Sequence, residues 1–115
     1  MSEAVLEDAM KMLSEKIDVS GEPTNWFEMT QDRVNTFADA TLDQQWIHVD
    51  PERAESGPFG GPIAHGQLTM SIMSFLPGGE GVGIPEIDGM KMGINLGWNK
   101  VRFMSPVAVG SKIRT

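Results

Sequence analysis

A chain of 115 residues, 40% hydrophobic and 22% charged, has the make-up of one soluble globular domain with little area to spare, neither disordered nor membrane-embedded. It has no cysteine, which removes disulfides, thiolate nucleophiles and cysteine-based zinc sites. A formal net charge of −7 argues against a nucleic-acid partner, because the phosphate backbone rewards a basic footprint.

From the N-terminus, Val5, Leu6, Ala9, Met10, Leu13 and Ile17 recur at three- and four-residue spacing. Ser2 to Lys16 therefore reads as an amphipathic helical extension within 1–20, capped by Ser2, for packing or dimerisation. Its acids Glu3, Glu7, Asp8 and Glu15 are wrong for a signal peptide, and no apolar run reaches membrane-spanning length, so a cytoplasmic protein is expected. After Gly21-Glu22-Pro23, the residues Asn25 to Thr30 read as a short strand, and a helix with Val34, Phe37 and Ala38 on its inner side follows. Asp43 falls at that helix's end. Pro51 suits the first turn of another short helix, with Asp50 as its cap.

The turn Gly57 to Pro62 leads into Ala64 to Leu76, where nearly every position is apolar or small. Such a helix is expected to be buried almost all round, and in so small a protein that needs a sheet wrapped about it. Leu76 to Gly83 is glycine-rich, but its spacing is not G-x-G-x-x-G and it follows a helix, so it reads as a connector rather than a phosphate loop. Met90 to Phe103 and Ser111 to Thr115 read as strands. All sixteen acids lie in 1–90, whereas Lys91, Lys100, Arg102, Lys112 and Arg114 meet no acid in 91–115. This could suit a small anionic ligand, but solvated strand residues are the plainer reading.

The chemistry-bearing stretch is Asp43-Gln44-Gln45-Trp46-Ile47-His48-Val49-Asp50, followed by Ile63-Ala64-His65-Gly66. A carboxylate and an imidazole stand five residues apart beside apolar residues, where polar groups need partners or a wet cavity. Each is readable as a cap or a satisfied core group; together they are a kit for moving a proton. Gly66, near the first turn of the apolar helix, offers backbone amides without intrahelical acceptors, and lets a carbonyl approach closely. His65 would cap or orient that turn. A metal reading would combine Asp43, His48, Asp50 and His65, but no H-x-H or H-x-x-x-H spacing supports it, and no metal is expected.

The motifs Asp43 to Ala54, Gly57-Pro58-Phe59-Gly60, Ile63 to Gly66 and Asn99-Lys100-Val101-Arg102-Phe103 together resemble the MaoC-like (R)-specific enoyl-CoA hydratases, in the branch related to nodulation protein N. The likeness runs from about Trp26 to Thr115. It implies an α+β hot-dog fold, an antiparallel sheet wrapped around a long central helix, commonly a homodimer. It also implies a catalytic pair at Asp43 and His48, an amide at Gly66 that binds the thioester oxygen with Ala64 and His65 beside it, and no cofactor beyond a CoA or acyl-carrier thioester substrate. Lys100 and Arg102 are the candidates for the CoA phosphates. The residue before the acid is commonly glycine in that family and is Leu42 here. Family members continue through further strands, so 1–115 is expected to be either a fragment or a minimal single hot-dog domain. A thioesterase, and an inactive acyl-binding or subunit protein, are the alternatives on the same scaffold.

Overall fold

The computed structural model describes residues 2–80 and 86–115. Helix α1 (Glu3–Glu15) starts where the Ser2 hydroxyl accepts the Val5 amide at 3.3 Å, so the expected cap is formed. Of its residues only Ala9 is buried. Strand β1 (Phe27–Glu28) and helix α2 (Gln31–Thr41) follow, the helix capped by the Thr30 side chain on the Arg33 amide at 3.2 Å. Val34 and Ala38 on its inner face are fully buried. Two short helices, α3 (Trp46–Val49) and α4 (Pro51–Glu55), then turn the chain back. Asp50 caps α4 as expected, its carboxylate accepting the Arg53 amide at 3.1 Å.

Strand β2 (Lys112–Ile113) pairs antiparallel with β1, Phe27 opposite Ile113 and Glu28 opposite Lys112. Backbone hydrogen bonds continue the pairing from Thr24 with Thr115 to Met29 with Gly110. The segment before β2 also pairs with the chain leading into α5 (Gly66–Met73): Ile63 bridges Ala108, and the Ala64 amide donates to Val107 O at 2.8 Å. Residues 107–109 thus pair with 62–64, and residues 110–115 with 24–29. On this small sheet α5 packs through Leu68 and Ile72, one helical turn apart, closing a core of Met29, Val34, Ala64 and Leu68 with Phe27, Phe37, Val107, Val109 and Ile113 around it.

Three expectations need adjustment. The helix expected over Ala64 to Leu76 spans Gly66–Met73, and only Leu68 of it is fully buried, because the sheet covers one of its faces. Met90 to Phe103 is not a strand. Among the described residues no neighbouring chain satisfies its amides and carbonyls, and a strand requires such a partner. The glycine-rich connector falls partly in 81–85, outside the described residues; Gly78 and Gly79 ahead of it both take positive φ. Among the described residues no helix is long and apolar enough to cross a membrane.

Candidate active site

Helix α2 ends on Leu42, which takes the left-handed conformation at φ 71°. That single residue reverses the chain so that Asp43 leaves the helix end. The Asp43 carboxylate is then oriented locally: Oδ1 accepts the Gln45 amide at 3.4 Å, a turn that aspartate forms readily with its own backbone. The other oxygen, Oδ2, lies 3.9 Å from His48 Nε2 and 3.9 Å from His65 Nε2. The acid side chain is half-exposed, whereas the two imidazoles are almost wholly buried. Sequence spacing alone pointed to Asp43 with His48; the chain also delivers His65 to the same point from the start of α5.

The hydrogen bonds fix the protons. His48 Nδ1 lies 2.7 Å from the Ile63 carbonyl oxygen, which only accepts, so Nδ1 carries the hydrogen and Nε2 of the neutral ring presents a lone pair toward Asp43. His65 Nε2 lies 3.0 Å from the Asp43 carbonyl oxygen, so that nitrogen is the donor and its Nδ1 holds the lone pair. The two rings stack with centroids 3.8 Å apart at 24°. The Phe37 ring of α2 also packs against His65, tilted at 57° with centroids 4.8 Å apart. Gln31, which sequence reasoning passed over, donates from Nε2 to the His48 carbonyl at 2.8 Å and ties the start of α2 to α3. Its contact joins residues 17 apart in sequence, so no local spacing would have announced it.

Of the other candidates, Ala64 is buried and its amide is already taken by Val107, leaving it a scaffold role. Gly66 opens α5, where the first amides have no intrahelical acceptor. A Cβ at Gly66 would lie 2.7 Å from the Phe103 ring, so the glycine admits that side chain against the start of α5. Lys100 and Arg102 are exposed on the stretch leading to Phe103, which brings Arg102 near the start of α5. Asp50 stays with its cap.

Asp43, His48 and His65 each offer a ligand atom, all within 4.8 Å of one another. The stacking disfavours a cation there. Lone pairs on rings lying 3.8 Å apart and nearly parallel do not converge on an ion that needs each nitrogen at about 2.0–2.1 Å, and His65 Nε2 is committed to a carbonyl. What the cluster suits is proton transfer: a lone-pair nitrogen and a carboxylate share one opening, beside the positive end of a helix.

A buried imidazole facing a carboxylate at the mouth of a helix laid on an antiparallel sheet is a candidate acid–base arrangement on an α+β domain. The sequence profile described as the MaoC like domain matches residues 13–115, and the chain belongs to that family. It is 52% identical over 91 residues to 3-hydroxyacyl-thioester dehydratase Z of Mycobacterium tuberculosis, covering 79% of this chain and 58% of that protein. It is 42% identical over 114 residues to nodulation protein N of Rhizobium meliloti, covering 98% of this chain and 66% of that one. The chain therefore spans less than two thirds of the length of these curated relatives. Among solved structures it superposes on a monoamine oxidase regulatory protein from Archaeoglobus with a TM-score of 0.64 at 28% identity, covering 87% of this chain and 65% of that one. A MaoC-like dehydratase from Rhodospirillum rubrum gives a TM-score of 0.61 at 22% identity, with 87% and 64% covered. These neighbours put the chain in the hot-dog fold class, although among the described residues the sheet is small.

Proposed function

We propose that the protein hydrates trans-2-enoyl thioesters to (R)-3-hydroxyacyl thioesters, and dehydrates them in reverse, with Asp43 and His48 as the acid–base pair. The observation that supports it best is the 3.9 Å separation of Asp43 Oδ2 and His48 Nε2, each a free acceptor toward the other. That gap is too long for a direct hydrogen bond. A water about 2.8 Å from both atoms would subtend an angle of about 90°, close to its own bond angle, donating one hydrogen to each. Its oxygen lone pair is then left for carbon.

In the forward direction that water oxygen bonds to C3 of the enoyl group while one of its protons passes to the pair. The C2–C3 π electrons shift toward the thioester, forming an enolate that the Gly66 amide and the α5 N-terminus stabilise. C2 then takes a proton back from the same side, so a hydroxyl and a hydrogen have been added and no electrons are left over. The (R) outcome, the trans double bond and a CoA or acyl-carrier thioester are the substrate features the family resemblance suggests. The relative named a 3-hydroxyacyl-thioester dehydratase supports the same class of chemistry. Lys100 and Arg102 are assigned to the CoA phosphates, and a homodimer to the assembled state.

Loss of enoyl-CoA absorbance on mixing with the purified chain is the direct assay. Asp43→Asn and His48→Ala should each lower kcat by roughly 10²–10⁴ with the fold intact, the usual range for a positioned acid–base group. An Asp43→Asn variant as active as the parent would sink the reading. Release of free CoA thiol would point to thioester hydrolysis in its place.

A further inference from the structure

We propose that His65 is a positioning residue that holds Asp43 and His48 in one reactive arrangement, a role that rests on the hydration reading above. Three separate contacts converge on it. Its Nε2–H donates to the Asp43 carbonyl at 3.0 Å, its ring lies flat on His48 at 3.8 Å, and its backbone is the N-cap of α5, one residue before Gly66. One side chain, 3% exposed, thus touches the acid's backbone, the imidazole's face and the helix turn that supplies the amide.

Each contact restrains one part of the pair. Asp43 follows Leu42, whose side chain is 85% exposed and gives the turn no packing to lean on. Beyond the turn's own bonds, the His65 donor fixes the Asp43 peptide from outside. His48 is anchored at one nitrogen by the Ile63 carbonyl, and a single hydrogen bond leaves a ring free to tilt about that axis. The His65 ring forms a floor that restrains the tilt, and is itself in tilted contact with Phe37 at 4.8 Å. A displacement of about 1 Å in such a pair costs on the order of a hundredfold in rate.

His65 does not serve as a second base. Its Nε2 proton is given to a carbonyl, and its Nδ1 is buried without a hydrogen-bond partner among the described residues. It has no nitrogen with which to take a proton from a water in the opening.

Two variants separate the contacts. His65→Phe keeps an aromatic floor and removes the donor; His65→Gln keeps a donor and removes the ring. The readouts on the full chain are kcat and KM for an enoyl-CoA, far-UV circular dichroism, and the ¹⁵N imidazole spectrum of His48. Both variants should lower kcat at least about tenfold with KM little changed. In both, His48 should move from the single Nδ1–H tautomer toward a mixture. A folded variant with parental kcat and an unchanged His48 spectrum overturns the proposal, as does a rise in KM alone. If one variant fails to fold, the other decides by the same measures; if both fail to fold, His65 is a core residue and the proposal is wrong. If the parent does not hydrate enoyl-CoA, the functional reading fails while the His48 tautomer still reports whether His65 positions it.

Discussion

Leu42 is where the chain departs from the glycine usual in its family, and the structure answers how the turn forms regardless. It takes φ 71°, a region where a Cβ meets the following carbonyl at a cost of roughly 1–2 kcal/mol. With its side chain largely in solvent, leucine recovers nothing by burial. Leu42→Gly is therefore expected to raise stability by about 1 kcal/mol, visible as a higher midpoint in thermal unfolding. It should leave the Asp43 turn in place, since Oδ1 and the peptide carbonyl keep their own partners. A lower midpoint would mean that the leucine makes a contact in solution that the structure does not contain.

Among the elements, the end of α2, the short helix α3 and the start of α5 carry the candidate site's geometry, and the cap between α3 and α4 was the most legible part of the sequence. Asp50 before Pro51 specified a cap through atoms within three residues of one another, and the cap is there. Asp50→Ala should cost about 1 kcal/mol of stability, the ordinary worth of such a cap, while leaving kcat for enoyl-CoA unchanged. A large fall in kcat without loss of stability would instead make Asp50 a third catalytic group. Ser2 was legible for the same local reason, and so was the inner face of Val34, Phe37 and Ala38. The meeting of His65 with Asp43 was not. It joins residues 22 apart through a bridge from α5 to the end of α2, and depends on Ile63 and Ala64 being pinned to Ile47 and Val107. The extent of α5 and the state of Met90 to Phe103 were illegible for a related reason. Apolar pattern says that a segment seeks cover, and only long-range pairing decides whether cover is found.

At the scale of the whole molecule, the surface is too large for its length. The chain exposes 8750 Å², about 2,500 Å² more than the roughly 6,200 Å² of a compact monomer of this size. Its radius of gyration is 17.7 Å, against about 13 Å for a compact domain. Exposed apolar side chains are found on and after α1, and a denser run of them, Met92, Ile94, Leu96, Trp98 and Met104, lies along one extended stretch. A stable interface buries about 800 Å² from each partner, and a run of exposed large apolar side chains is the kind of surface that joins two copies. Extended backbone with unpaired amides also favours edge-to-edge pairing with an identical stretch. The homodimer proposed above should therefore be seen by sedimentation at micromolar concentration, and Leu96→Lys should convert it to monomer. Leu96 is 95% exposed in the single chain, so the substitution removes no packing from the fold itself. A parent that sediments as a monomer, or a Leu96→Lys variant that stays dimeric, would move the interface away from this strip.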